Sequence, residues 1–226
     1  MVEENIKKVR ENMEAACKRA GRDIKDVTLI AVSKTKPVSM MEEALQTGVL
    51  DFGENKVQEI LEKKPLLPDN VRFHMIGHLQ RNKVKQVIDK AVLIHSVDSL
   101  RLAEQIEEEA EKKELHADVL LEVNVAREES KYGFFMEEVE EAVKEIGNFP
   151  HITIKGLMTI APNVENPEDN REVFKKLYQL YVDIKSKNID NGTMSVLSMG
   201  MTGDYEVAIE EGATMIRVGT GIFGTR

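Results

Sequence analysis

The chain has a single cysteine, Cys17, so no intramolecular disulfide can form and the cysteine density of a small secreted scaffold is missing. No uninterrupted apolar run approaches the roughly 20 residues that cross a bilayer. The opening stretch MVEENIKKVRENMEAACKRAGRD has no apolar h-region, so no signal peptide is expected. Positive charge is not in excess. Lys and Arg number 31 against 40 Asp and Glu, a formal net charge of −9. A surface of that sign repels phosphate backbones, which disfavours a general nucleic-acid binder. No Pro/Gly/Ser-rich linker and no low-complexity tract breaks the chain, so one domain over residues 1–226 is the simplest partition. Together these absences predict a cytoplasmic, soluble protein that binds neither membrane nor nucleic acid. The basic string RNKVK, residues 81–85, reads as a solvated helix face.

Apolar residues make up 42% of the 226, enough for a sizeable core. Val2, Ile6, Val9 and Met13 recur at helical spacing, continued by Ala16 and Cys17, which predicts a helix over 2–20 stopped by Gly21. Cys17 reads as a small buried apolar residue on that helix. Eight short runs rich in Val, Ile and Leu then follow, near 28–33, 50–53, 72–76, 92–96, 118–124, 152–158, 195–198 and 214–218. A helical pattern lies between each consecutive pair, and either Asp98 or Ser99 caps the long one over 100–113. Strands buried on both faces and joined by helices make a parallel sheet. The competing arrangement is an open doubly wound sheet. Eight regular units favour a single closed (β/α)8 TIM barrel with an extra N-terminal helix and a last helix reduced to a short turn, GIFGTR. In such a barrel the chemistry sits at the C-terminal ends of the strands.

Lys34 ends strand one, and alternation places it on the same face as Ile30 and Val32. At the rim of an apolar barrel, a lysine amine can either reach into solvent or form a Schiff base with a carbonyl. Lys36 shares that parity but precedes Pro37 and ranks second. Ser198, Gly200, Thr202 and Gly203 follow strand seven, and Gly219, Thr220 and Gly221 follow strand eight. Small and hydroxyl residues after these two strands suit a phosphate group. Gly219, Gly221 and Gly224 spell GxGxxG, but only Thr225 and Arg226 come after them, so the dinucleotide reading fails. Arg217 ends strand eight as either a ligand-facing cation or a salt-bridge partner. Asn55 follows strand two, where a helix cap is the plainer role and a ligand contact the sharper one. His74 and His78 are four apart but no third ligand accompanies them, so no metal site is expected. His78 stands at the mouth of strand three, and His95 reads as a packed or hydrogen-bonded residue. SKYGF, residues 130–134, lies in a charged loop that is either solvated or a lid.

The strings AVSKTKP, FGENKVQE, HMIGHLQRNKVK, HSVDS, SKYGF, GLMTIAP and LSMGMTGDYEVAIEEGATMIRVGTGIFG, in that order over nearly the whole chain, resemble the YggS/PROSC family, the pyridoxal 5′-phosphate homeostasis proteins. The resemblance implies the type III pyridoxal-phosphate fold of the alanine racemase barrel. It implies that Lys34 forms the Schiff base, that Ser198, Met199, Gly219 and Thr220 hold the phosphate through backbone and hydroxyl donors, that Arg217 approaches the pyridine nitrogen, and that Asn55 lies beside the cofactor. It implies a monomer that holds pyridoxal phosphate and delivers it to apo-enzymes, with no catalytic residue assigned. Two other readings stay open: a pyridoxal-phosphate amino-acid racemase, which needs a base across the cofactor from Lys34, and a Schiff-base sugar-phosphate aldolase or isomerase.

Overall fold

The computed structural model describes residues 1–188 and 193–225. Eight strands form a closed barrel in chain order: β1 Thr28–Val32, β2 Asp51–Glu54, β3 Arg72–Met75, β4 Ala91–Val97, β5 Ala117–Glu122, β6 Ile152–Met158, β7 Val196–Met201 and β8 Met215–Val218. Every neighbouring pair is parallel, and β8 closes on β1 with Ile30 opposite Arg217 and Ala31 opposite Val218. The helices are α1 Val2–Arg19, α2 Val38–Leu45, α3 Val57–Lys63, α4 Val84–Val87, α5 Leu100–Lys112, α6 Val139–Ile146, α7 Arg171–Ser186, α8 Tyr205–Glu210 and α9 Thr220–Phe223. Among the described residues no helix is long and apolar enough to cross a membrane.

Alternation along the strands sorts residues into two layers. Phe52, Phe73, Ile94, Val119, Leu157 and Ile216 point outward and pack under Met41, Ile60, Leu102, Ile106, Val143 and Phe174 of the helices. Inside the barrel a small apolar cluster of Leu93, Leu120 and Met158, flanked by Ile160, Val196 and Met215, shares the interior with polar side chains. Burying the outer faces is the main stabilising term, at about 25 cal/mol per Å² of apolar surface.

The expected stripe on α1 is buried in full, Cys17 included. It packs on α8 and α9, and the Asn5 amide donates to the Ile222 carbonyl at 2.8 Å. With α9 only four residues long, α1 takes the place of a full last helix over the β8–β1 seam. Ser99, not Asp98, caps α5, accepting from the Leu102 N–H at 3.3 Å.

Three elements differ from the sequence reading. GIFGTR is not a simple turn: Thr220–Phe223 form one helical turn because Ile222 and Phe223 are buried, and Arg226 lies outside the described residues. The helical pattern over 79–90 resolves into a 3-10 turn at Arg81–Lys83 followed by the short α4, with Leu79, Val84, Val87 and Ile88 its buried residues. Strand seven continues past Ser198 to Met201. Gly200 permits this: its φ is +91°, and an added Cβ would lie 2.6 Å from the Ala208 Cβ.

Candidate active site

The segment carrying Lys34 leaves β1 two residues after Val32 and is held from below. The buried Lys63 ammonium donates to the Ser33 carbonyl at 2.8 Å, to Glu54 Oε1 at 2.8 Å and to Glu59 Oε1 at 2.9 Å. The Ser33 hydroxyl donates to the same Glu54 oxygen at 2.6 Å. Burial pushes the Glu54 carboxyl up, against the hydrogen bonds from Lys63 and Ser33. Thr35 sits at φ +63°, a strained region for a β-branched residue, and its N–H donates to Glu59 Oε1 at 2.6 Å. The turn is thus fixed on both sides of Lys34.

Lys34 itself is half-buried, and among the described residues no hydrogen bond or ion pair engages its amine. Lys36 differs. Its ammonium donates to the carbonyls of Phe223, Gly224 and Thr225 at 3.0–3.2 Å, which uses all three of its N–H bonds. The structure therefore separates a structural lysine from a free one.

On the adjacent strand, Arg217 is 3% exposed. Its Nη1 donates to the Ser198 hydroxyl at 2.5 Å and its Nη2 to the Thr159 carbonyl at 2.8 Å. No carboxylate pairs with it within salt-bridge distance among the described residues, so the salt-bridge alternative fails. Burial lowers the guanidinium to about 10, opposed by the charges of Asp204 and Glu122.

The loops after β7 and β8 converge on one hydroxyl. Thr202 Oγ1 accepts from the N–H of Gly219 at 3.2 Å and of Gly221 at 3.3 Å. The loop of Thr202 is anchored by Asp204, whose Oδ1 accepts from the Met201 N–H at 2.7 Å and whose Oδ2 accepts from the Asn170 amide at 2.8 Å. Gly219 lies against β1, where an added Cβ would touch the Val32 Cβ at 3.4 Å. Thr220 is exposed at the start of α9. Lys34, Arg217 and the Thr202–Gly219 pair thus occupy three adjacent strands at one mouth of the barrel.

Two residues expected at the phosphate, Ser198 and Met199, have their side chains directed elsewhere. Ser198 is fully buried, with its hydroxyl between Arg217 and His95 Nδ1, the latter at 3.0 Å. The cause is the extension of β7: the loop starts three residues later than the sequence pattern suggests. The Met199 side chain turns outward into the layer under the helices.

Asn55 is not a cap. Lys56 holds the N-cap position of α3, with no side-chain cap bond. Asn55 instead lines a cavity of about 340 Å³ with His78, Gln80 and Lys83. The loops after β2 and β3 meet backbone to backbone there, since a Cβ on Gly77 would lie 2.4 Å from the Asn55 carbonyl oxygen. His78 Nδ1 lies 3.0 Å from Asp98 Oδ2, and the ring stacks on Tyr132 with centroids 3.8 Å apart. His74 lies in a different network, between Asp51 and His95, so the two histidines do not converge.

The SKYGF loop is built rather than loose. The Lys131 ammonium donates to the carbonyls of Ile160 and Ala161 at 3.3 and 3.1 Å and pairs with Glu128. Asn124 exchanges hydrogen bonds with the backbone of Glu128. Glu122, at the end of β5, escaped the sequence reading. It is 6% exposed, and burial with the nearby Asp98 charge raises its carboxyl to about 7, against Arg217 and Lys131. The signal was present: Asp51, His74, His95, Glu122, Ser198 and Arg217 are each polar residues inside apolar strands, a pattern that marks the inner face.

Comparison with known proteins follows this geometry. The family model of the alanine racemase N-terminal domain matches residues 5–226. A pyridoxal phosphate homeostasis protein of Aquifex aeolicus is 44% identical over 224 residues, covering 99% of this chain and 97% of its own. One from Escherichia coli K12 is 35% identical, covering 98% and 95%. The chain belongs to the pyridoxal phosphate homeostasis protein family. The PipY protein of Synechococcus elongatus PCC7942, solved with pyridoxal phosphate bound, superposes with a TM-score of 0.86 at 30% identity over 99% of this chain and all of its own. An alanine racemase of Clostridium difficile, 17% identical with a TM-score of 0.74, shares the barrel, and this chain spans 57% of it.

Proposed function

We propose that this protein binds pyridoxal 5′-phosphate at the C-terminal mouth of the barrel through Lys34, and holds and delivers it as part of cofactor homeostasis in the cytoplasm. The observation that carries the reading is a half-buried Lys34, unpaired among the described residues, beside a strained, clamped turn and near a buried arginine that pairs with no carboxylate among them. The donor set fits the cofactor's three chemical ends. Bound pyridoxal phosphate supplies an aldehyde that condenses reversibly with an amine. Lys34 offers that amine. Gly219, Thr220 and Thr202 offer backbone and hydroxyl donors to the phosphate, with the Thr202 hydroxyl in place of the Ser198 hydroxyl that Arg217 and His95 engage. Arg217 donates toward the ring nitrogen. A guanidinium retains its proton near neutrality, so it leaves that nitrogen unprotonated and the ring a weak electron sink. This favours holding the cofactor over carbanion chemistry. Asn55, after β2 and next in the ring to β1, is the residue proposed to lie beside the cofactor.

The test is an absorbance titration of the purified protein with pyridoxal phosphate, followed by borohydride reduction and peptide mass spectrometry. A visible band that reduction abolishes, with the pyridoxyl mass on the Lys34 peptide and lost in Lys34→Ala, is the expected result. Label on Lys36, or no band at saturating cofactor, overturns the assignment.

A further inference from the structure

A chain of hydrogen bonds crosses the barrel interior behind Arg217. The Arg217 Nη1 lies 2.5 Å from Ser198 Oγ, and Ser198 Oγ lies 3.0 Å from His95 Nδ1. His95 Nε2 lies 3.0 Å from His74 Nδ1, and His74 Nε2 lies 2.9 Å from Asp51 Oδ1. Arg72 closes the far end on Asp51 with its Nε at 2.7 Å. Asp51, Arg72 and His74 line a cavity of about 270 Å³ at the opposite mouth, with Lys155 on its wall. The partners come from β8, β7, β4, β3 and β2, so only closure of the barrel assembles the chain.

The direction of every bond follows from counting protons. Arginine only donates, so Ser198 Oγ accepts from it, and the single Ser198 hydrogen goes to His95 Nδ1. A carboxylate only accepts, so His74 carries its proton on Nε2, and its Nδ1 accepts from His95 Nε2–H. Both ends require the same answer: two neutral imidazoles, each protonated at Nε2. Any other assignment leaves a buried donor without an acceptor, at a cost of order 1–3 kcal/mol. Burial beside Arg217 and His74 also holds the His95 ring well below its ordinary titration range. Asp51 stays ionised: burial raises its carboxyl, but the hydrogen bonds from His74 and Arg72 outweigh that and bring it to about 2.

We propose that Ser198, His95, His74 and Asp51 are positioning residues for Arg217, forming a directed hydrogen-bond chain by which a carboxylate at the far mouth fixes the guanidinium that faces the cofactor ring. This rests on the binding reading above only for its cofactor end. Two Arg217 N–H bonds are used by Ser198 and Thr159, which locks the plane of the guanidinium and leaves the remaining donors for the mouth. An untethered arginine on flexible carbons would lose that orientation.

The first test uses the protein without cofactor: nitrogen-detected NMR of the five histidines from pH 5.5 to 8. The expected result is two rings, His74 and His95, in the Nε2–H tautomer at neutral pH, with His95 keeping it across the range. A His95 ring protonated at Nδ1, or one that titrates in that range, overturns the proposal. The second test titrates His95→Leu, His95→Gln and Asp51→Asn with pyridoxal phosphate. Loss of one positioning hydrogen bond predicts affinity weaker by about fivefold and a shifted visible band in His95→Leu and Asp51→Asn. His95→Gln, whose amide both accepts and donates, recovers most of the loss. A folded His95→Leu with wild-type spectrum and affinity refutes the proposal. Failure of the wild-type protein to bind at all refutes the binding reading instead and leaves the NMR result to stand alone. If His95→Leu does not fold, the wild-type ring assignments still decide.

Discussion

Glu122 gives the sharpest quantitative test of the interior electrostatics. Its carboxyl is buried at the end of β5, near Asp98 and within the fields of Arg217 and Lys131, and is raised from 4.5 to about 7. In the unfolded chain it ionises near its ordinary value. Between the two values the folded state binds more protons than the unfolded state, so stability falls as pH rises. Below about pH 4.5 both states are protonated and the penalty is absent; above about 7 it is complete. At about 1.4 kcal/mol per pH unit, the full penalty is about 3 kcal/mol. Glu122→Gln keeps the volume and removes the charge. Any constant packing difference between the two side chains shows at every pH, whereas the ionisation penalty shows only above pH 4.5. The variant's gain over wild type is therefore expected to grow by about 2–3 kcal/mol from pH 5 to pH 8. For a domain of this size that corresponds to roughly 4–12 °C in Tm. Urea melts of both proteins across that range, without cofactor, read it directly. The other carboxylates cancel in the difference. A gain that stays flat from pH 5 to pH 8 refutes the assignment of a buried, protonated Glu122.

Two further predictions concern the supports of the site. Lys63→Met strips three hydrogen bonds and leaves Glu54 buried without its cation, so it is expected to destabilise the fold by about 3–5 kcal/mol in urea melts, with part of the loss recovered by adding Glu54→Gln. Thr202→Ala removes the hydroxyl on which the Gly219 and Gly221 amides converge, and is expected to weaken pyridoxal phosphate binding about fivefold, read by absorbance titration, while borohydride still places the label on Lys34.

The barrel was legible because most of its strands are short apolar runs rich in Val, Ile and Leu, separated by helical patterns, several of which end near Gly or Pro. The position of Lys34 at the end of β1 was legible by strand parity, and the two loops that meet at Thr202 by their glycines. What escaped was whatever depends on where a strand stops or on closure of the ring. Three extra residues in β7 move Ser198 from loop to interior and leave Thr202 at the mouth. His74 and His95, read singly, are unremarkable; they become partners only because β3 and β4 pair. Ser198 meets His95 across 103 residues of sequence. Asn55 looked like a cap because it precedes a helix, but the close approach of its backbone to Gly77 shifts the cap position to Lys56.

Three independent supports hold the three functional groups. The Lys34 turn is clamped by Glu54, Glu59 and Lys63 from β2 and α3. Arg217 is held through β7, β4 and β3. The Thr202 loop is held by Asp204 and Asn170. Within the support of Arg217, burial holds the His95 ring below its ordinary range, and the hydrogen bonds from His74 and Arg72 keep Asp51 ionised. Rigid placement suits the proposed role, in which the amine condenses with an aldehyde, releasing water, and is recovered by hydrolysis. The buried Glu122 carboxyl, raised to about 7, belongs to the strand across the barrel from Lys34. A residual proton-transfer activity, if the barrel has one, therefore has a specific residue to depend on, and Glu122→Gln removes it while Lys34 still takes the label.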